Sequence, residues 1–163
     1  MTGMSRPVTF YLTRPELVVV LVVECLLILA GIGVALWASF DESWADIRFR
    51  AVLASIALGL AGSGCYYLRR IYRAAFDDRL VLASRRESAT ERLGALVYLL
   101  GRPLIALALT TAVAIGLVLT YTSVTPDGTA PTQDLVYLCA SIGFVTGFLG
   151  GRLIEQVETT GKL

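Results

Sequence analysis

Four long apolar stretches constrain this 163-residue sequence more than any other feature. Each is close in length to the helix of roughly 20 residues that crosses the hydrocarbon core of a bilayer. All are apolar around the whole helix, whereas a surface helix of a soluble protein has a polar face. We therefore predict an all-α fold, a four-transmembrane-helix bundle that forms a single membrane domain over residues 1–163. The predicted spans are 17–40, 51–70, 104–124 and 135–155.

Basic residues are distributed unequally over the two sides of these spans. Of the 14 Lys and Arg residues, all except Arg48 and Arg50 fall in the N-terminal segment, the loop between the second and third spans, and the C-terminal tail. With four spans, those three segments lie on the same side of the membrane. Because Lys and Arg are enriched in cytoplasmic segments, we predict that both termini are cytoplasmic and that the protein lies in the cytoplasmic membrane.

The segment 71–102, between the second and third spans, is predicted to be a cytoplasmic helical extension. Apolar residues recur there at roughly helical spacing, so the second helix is expected to continue out of the membrane as a partly amphipathic helix. These residues are Ile71, Phe76, Leu80 and Ala83.

Two capping-box patterns, Ser84–Glu87 and Ser88–Glu91, are alternative starts for the next helix. That helix is expected to end or bend at Gly101, Arg102 and Pro103, because proline lacks a backbone N–H and disfavours helical geometry in the residue before it. We therefore predict an interfacial helix, then a bend, then a third span with Pro103 in its first turn.

Small residues recur at four-residue steps on three of the predicted helices. In lipid, helices associate by close packing, so such positions indicate helix contacts. They fit packing within the bundle, or a fourth helix that packs against another subunit or lines a pore. The residues are Gly59 and Ser63 in the second helix, Ala108, Ala112 and Gly116 in the third, and Gly143, Gly147 and Gly151 in the fourth.

Glu24 is the only charged residue inside the predicted spans away from their ends. Its helical face also carries Gly31 and Ala35, so we expect it to point toward packed protein. A carboxyl group in the membrane must be protonated, paired or hydrated. Glu24 is therefore a candidate ion or proton site, or a structural hydrogen-bonding residue. The candidate partners at similar depth are Arg102, Arg152, Tyr66 and Tyr67.

Three arginines at the cytoplasmic ends of the spans, Arg69, Arg70 and Arg152, are candidate contacts for lipid headgroups. Anionic headgroups attract basic segments next to the membrane. The alternative is that these residues reflect only the general enrichment of Lys and Arg in cytoplasmic segments.

Several function classes are excluded by what the sequence lacks. It has no histidine, which removes the usual catalytic base and a common metal ligand. The three cysteines fall inside the spans without metal-ligand spacing and are interpreted as packing residues. The net charge of +1 argues against a nucleic-acid partner. We predict a non-enzymatic protein without metal or other cofactor.

Three segments resemble a set of uncharacterised prokaryotic four-helix integral membrane proteins. The second span ends in small residues followed by a basic segment over 62–72, the third begins at an Arg-Pro pair within 99–104, and the fourth contains Gly-Phe-x-x-Gly at 143–147. The resemblance covers roughly residues 55–155. It implies a fold and a prokaryotic membrane context, and it implies no activity.

Two functions follow as hypotheses. Glu24 and the small faces predict a homo-oligomer that conducts or transports ions or small solutes across the lipid bilayer. The alternative is a non-conducting accessory or scaffold subunit, whose small faces pack against a membrane protein partner.

Overall fold

The computed structural model describes residues 10–41, 45–76, 80–82, 89–124 and 132–160. These residues form four helices and two short strands. In chain order the elements are β1 (Phe10–Leu12), α1 (Arg14–Phe40), α2 (Ile47–Phe76), β2 (Leu80–Leu82), α3 (Ala89–Val124) and α4 (Gln133–Thr160).

Within the described ranges, all four helices are long and apolar enough to span a membrane. The four predicted spans lie inside them, and each helix extends beyond its predicted span at one end or both. The start of α1 shows why. The backbone N–H of Thr13 donates to the Glu16 carboxylate at 2.8 Å, and Pro15 occupies the first turn. This capping-box pattern, Thr13 to Glu16, begins the helix three residues earlier than hydropathy indicates.

The distribution of residue sizes is the reverse of that in a soluble protein. Buried positions are mostly Ala, Gly and Ser, whereas large apolar side chains such as Leu29 and Leu119 are 67% and 63% exposed. Small residues let helix backbones approach closely, and large apolar side chains are favourable against lipid. The same helices would expose an extensive apolar surface in water.

The α2 helix lies at the centre of the packing. It makes the most extensive contact with α4, then with α1, then with α3, whereas α1 has few contacts with α3 or α4. α2 packs antiparallel to α1 and in the same direction as α4. The start of α1 and the end of α2 therefore lie at the same end of the molecule.

The α3 helix corrects part of one prediction, namely that the helix ends at Gly101, Arg102 and Pro103. It runs without interruption through these residues, so it does not end there, and a bend at Pro103 stays a prediction. In a segment that avoids water, a broken helix would leave backbone groups without partners, which favours continuing the helix despite the N–H missing at Pro103. Its 36 residues correspond to about 54 Å at 1.5 Å per residue, more than a bilayer core of about 30 Å.

A parallel pair of short strands corrects the prediction for the segment 71–102. The α2 helix does continue to Phe76, but Leu80 lies in β2, which pairs with β1 in the register Phe10–Leu80 and Leu12–Leu82. A three-residue apolar run is compatible with either a strand or a helix, and its partner lies far away in the chain. Ala83 and the Ser84–Glu87 pattern lie outside the described residues, and α3 begins at Ala89, the residue after Ser88.

Two apolar clusters lie at opposite ends of the helices. The first, which we call the strap cluster, joins the residue that ends β1 to the start of α1, the end of α2 and the first half of α3. Its buried members are Leu12, Val20, Tyr67, Ile71, Ala74 and Leu99. The second joins the other ends of the helices, and its buried members are Ala38, Ala51, Ala54, Val118, Leu135, Val136, Cys139 and Ala140.

Candidate functional site

The Glu24 side chain is completely buried between α1 and α2. It belongs to the buried face of α1, together with Val20 one turn earlier and Gly31 two turns later. Gly64 of α2 provides the space for the carboxyl group. A Cβ atom at Gly64 would lie 3.4 Å from Glu24 Oε2 and 2.9 Å from Ile28 Cγ1. Glu24 thus faces protein rather than lipid.

Neither carboxyl oxygen of Glu24 has a hydrogen-bond partner among the described residues. Of the predicted partners, Arg152 is exposed, and the Arg102 side chain is outside the described part of the structure. Tyr66 makes edge-on ring contacts with Tyr67 at 5.2 Å and Phe148 at 5.8 Å.

An isolated carboxylate at this position would be unfavourable. An unpaired charge in the interior of a membrane protein costs several kcal/mol, and burial of a charge requires a compensating partner. The group is stable there as the neutral acid or with a positive ligand. The burial of Glu24 thus favours the neutral acid, or requires a positive partner, at this position.

Two serines of α2 add further buried polar atoms, of which Ser63 directly precedes Gly64 and Ser55 lies further along α2, against Gly143. The hydroxyl groups of Ser55 and Ser63 are fully buried and have no hydrogen-bond partner within the described ranges. The threonines of α3 behave differently, since Thr110 donates to the Ala106 carbonyl oxygen at 2.7 Å. A helical hydroxyl group normally satisfies itself in this way. Ser63, predicted from its four-residue spacing, is therefore an available hydrogen-bond donor next to the α2–α3 contact.

The predicted glycines lie in close contacts between helices of this chain. A Cβ atom at Gly143 would overlap the Ser55 backbone, and one at Gly147 would overlap the Gly59 backbone. Gly59 also contacts α3, because its own Cβ would lie 2.5 Å from Thr110 Cγ2. The backbones of α2 and α4 are thus in direct contact at these positions, and no channel separates them there. Gly151 lies in α4, and its surroundings are outside the described part.

The small residues of the predicted α3 face, unlike the glycines of α2 and α4, are not packed against another described helix. Ala108, Ala112 and Gly116 of α3 are exposed, and no atom lies within 4 Å of a Cβ built at Gly116. This stripe therefore faces away from the other helices of the chain.

Arg50 is a polar site that the sequence did not predict. It is only 3% exposed and lies in the first turn of α2. Its Nε donates to the Ala38 carbonyl oxygen at 2.8 Å, and its Nη2 donates at 3.1 Å to both the Ser39 carbonyl oxygen and Gln133 Oε1. A cation at the carbonyl end of a helix is favourable. Arg50 joins α1, α2 and α4 at the end of the molecule away from the strap cluster.

The predicted headgroup contacts lie at the strap-cluster end of the helices. Arg69 and Arg152 are exposed, whereas the Arg70 guanidinium lies 5.2 Å from the centre of the Tyr98 ring. Arg73, one turn after Arg69, is also exposed. The C-terminal part of α2 is therefore basic and contains no acidic residue.

Two surface cavities lie at the end of the helices away from the strap cluster. The cavity of about 410 Å³ lies between the end of α3 and the start of α4, and the cavity of about 230 Å³ lies between the end of α1, α2 and the start of α4. They share Tyr137 and Ser141, and Glu24 lines neither of them. The described residues contain no group of three His, Cys, Asp or Glu side chains that could hold a metal ion. The free cysteines range from exposed (Cys25) to buried (Cys139). Neither of these two cavities therefore adjoins the buried carboxyl group.

Comparison with protein-family models, curated proteins and solved structures finds no match for this chain.

Proposed function

We propose that the protein lies in the cytoplasmic membrane with both termini on the cytoplasmic side. The charges of the described residues support this orientation, because Arg14, Arg69, Arg73 and Arg152 lie at the strap-cluster end. The opposite end carries Arg48 and Arg50 and three acidic residues, Asp41, Asp46 and Asp134. Cytoplasmic segments are enriched in Lys and Arg, and acidic residues contribute little to this bias.

Single cysteines test the orientation. After the native cysteines are replaced by alanine, one cysteine is introduced at Arg73 and, in a separate variant, one at Asp46. A membrane-impermeant maleimide should label the Arg73 position only in inverted vesicles and the Asp46 position only in right-side-out vesicles. The opposite pattern would refute the proposed orientation.

We propose that the protein transports ions or small solutes, with Glu24 as the group that binds them. The observation that supports this most directly is the fully buried carboxyl group with no described hydrogen-bond partner. A buried polar group kept without a partner lowers stability, and intramembrane ionisable residues commonly belong to ion or substrate pathways.

The packing of α1 supplies a way to expose Glu24. Its only extensive helix contact is with α2. A movement of α1 against α2 separates Glu24 from Gly64 without disturbing the α2–α4 glycine contact. Transport requires that Glu24 can be reached from both sides of the membrane, and such a movement of α1 would provide this access.

We propose that the protein works as a homo-oligomer through the exposed stripe of α3. Ala108, Ala112 and Gly116 have no partner helix within the described part of the chain. Small residues spaced by four favour close contact between helices in lipid.

Flux measurements in liposomes test the transport proposal. The purified protein is reconstituted with a trapped pH-sensitive dye or a trapped sodium-sensitive dye, and a potential is imposed with potassium and valinomycin. Glu24→Gln keeps the shape of the side chain and removes its charge. Glu16→Gln is the matched control, because it changes a glutamate of the same helix that caps its start. Wild type and Glu16→Gln should conduct, and Glu24→Gln should fall to the background rate.

Flux that Glu24→Gln leaves unchanged would remove Glu24 from the mechanism. Absence of flux in folded wild-type protein would favour the second candidate function, a non-conducting accessory or scaffold subunit. That candidate is supported by the direct backbone contact between α2 and α4 at Gly59 and Gly147. It predicts that the protein co-purifies with a distinct membrane protein in mild detergent.

A further inference from the structure

We infer that the ligand of Glu24 is a proton, and that neither a metal ion nor an organic cation binds there. This inference rests on the proposed transport function and specifies the ion at the same site. It starts from the geometry around the carboxyl group, which has two free oxygens but little space and few other polar atoms.

A metal ion would need more oxygen ligands than the site offers. Calcium takes about six to eight oxygens and magnesium about six, in near-octahedral geometry. Around Glu24, the described neighbours include Gly64 and the apolar side chain of Ile28. The backbone carbonyl groups of α1 and α2 at this level are engaged in their own helices. Even together with the buried hydroxyl groups of Ser63 and Tyr67, the two carboxyl oxygens would provide fewer than the six oxygens that such an ion takes.

An organic cation would need a cavity beside the carboxyl group. Glu24 is 0% exposed, and the space in front of Oε2 is the volume left by the missing side chain of Gly64. The two described cavities are lined by residues at the other end of the helices, and Glu24 lines neither. A proton needs no such volume, because it forms one O–H bond with a lone pair of Oε1 or Oε2 and removes one negative charge.

Among the described residues, packed groups lie at both ends of the α1–α2 contact. Toward the start of α1, which lies about 15 Å away at 1.5 Å per residue, the path meets the strap cluster, in which Leu12 and Leu99 are fully buried. Toward the end of α1, at about 24 Å, Arg50 joins three helices. Protons can pass such apolar layers on transient water molecules or hydroxyl groups.

The groups that share this region include no described cation. On α2, Tyr67 lies one turn after Gly64 and Ser63 directly precedes Gly64, and both side chains are fully buried. On α1 itself, Cys25 is exposed and faces away. The α3 and α4 helices have few contacts with α1, and the side chain of Arg102 is outside the described residues. The neutral acid is therefore the form that this environment stabilises.

Infrared difference spectroscopy in reconstituted bilayers tests the inference directly. A protonated carboxyl group has a C=O stretching band that is distinct from the carboxylate bands. The wild-type spectrum at neutral pH should contain this band, Glu24→Gln should lack it, and Glu16→Gln should retain it. The band should disappear as the pH is raised. At fixed pH and ionic strength, sodium, potassium or magnesium should leave it unchanged.

Two results would overturn the inference. One is a wild-type spectrum with only carboxylate bands at neutral pH, and the other is loss of the protonated band when a metal cation is added at fixed pH. If Glu24→Gln does not fold, as judged by circular dichroism and gel filtration, Glu24→Asp takes its place, because it should shift the band without removing it. A protonated Glu24 without flux would refute the transport proposal alone. Flux that depends on Glu24, with a band displaced by a cation, would refute the proton assignment alone.

Discussion

Arg50 donates a hydrogen bond from Nε to the carbonyl oxygen of Ala38 over 2.8 Å, and this bond joins the first turn of α2 to the last turn of α1. Gln133 extends the connection to α4, since Oε1 accepts from Arg50 and Nε2 donates to the Ser39 carbonyl oxygen. The carbonyl groups that end α1 thus obtain partners from two other helices. Three helices are fixed relative to one another by one guanidinium group.

Arg50→Ala should lower the free energy of unfolding by about 2–4 kcal/mol, because a hydrogen bond from a charged donor contributes about 1.5–3 kcal/mol. Unfolding in mixed detergent micelles measures the loss. Arg48→Ala is the matched control, since Arg48 is exposed on the same turn and its loss should change stability by less than about 0.5 kcal/mol. Equal effects of the two substitutions would show that Arg50 has no special structural role.

Gly147→Ala should destabilise the protein by about 1–3 kcal/mol, because the new methyl group would overlap the backbone at Gly59 and force α2 and α4 apart. Gly33→Ala is the control, because nothing lies within 4 Å of that position. There the change should be neutral or stabilising by up to about 1 kcal/mol, since alanine favours a helix over glycine. Unfolding in mixed detergent micelles measures both changes. An unchanged free energy of unfolding in Gly147→Ala would contradict the observed backbone contact.

Glu24→Met should raise the free energy of unfolding by about 1–3 kcal/mol, the usual cost of a buried polar group without a partner. Methionine has a similar length and can fill the same space beside Gly64. The variant should be more stable than wild type and inactive in the liposome assay. A loss of stability would indicate instead that Glu24 makes a structural hydrogen bond in the native protein.

Leu12→Ala should loosen the strap cluster. Leucine-to-alanine changes at buried sites cost about 2–5 kcal/mol, and here the loss falls on a short local element. Hydrogen exchange of the β1 and β2 amides should therefore accelerate, while exchange in the α2–α4 contact stays slow. Leu29→Ala, at a lipid-facing position that is 67% exposed, should leave the strand amides unchanged. Equal exchange in both variants would show that Leu12 does not hold β1 in place.

Ala112→Ile should shift the protein toward the monomer in mild detergent, because a branched side chain on the exposed α3 stripe prevents close approach of a second helix. Mass measurement by light scattering gives the oligomeric state. Val34→Ile, on the exposed face of α1, is the control and should not change it. A wild-type protein that is already monomeric would contradict the proposed homo-oligomer.

The four long apolar helices were predictable because their signal is local and strong. A run of about 20 apolar residues is typical of a helix that crosses a bilayer. The inward position of Glu24 also follows from local spacing, since Gly31 and Ala35 repeat on its face of α1.

Features that depend on distant segments were not predictable in the same way. The sequence shows Arg50 only as one of two basic residues on the predicted non-cytoplasmic side. Nothing near Arg50 in the sequence indicates that it binds the carbonyl group of Ala38 and the amide of Gln133. The continuation of α3 through Pro103 required the environment of the helix as well as the local preference of proline. The Thr13–Glu16 capping-box pattern is present in the sequence, but the predicted span was placed by hydropathy and therefore begins only at Leu17.

The parallel pairing of Phe10–Leu12 with Leu80–Leu82 has a consequence for how the chain is made. One strand precedes α1 and the other follows α2, so in the proposed membrane topology they meet only when both helices have crossed the bilayer and returned. During synthesis, the N-terminal strand has no partner until the second helix has left the ribosome and been inserted. In that topology, the strands can therefore pair only after the first two helices are inserted, and only when these two helices have the correct orientation. A helix inserted backwards, or left outside the bilayer, would keep the two strands on opposite sides and the N-terminal segment exposed to proteases.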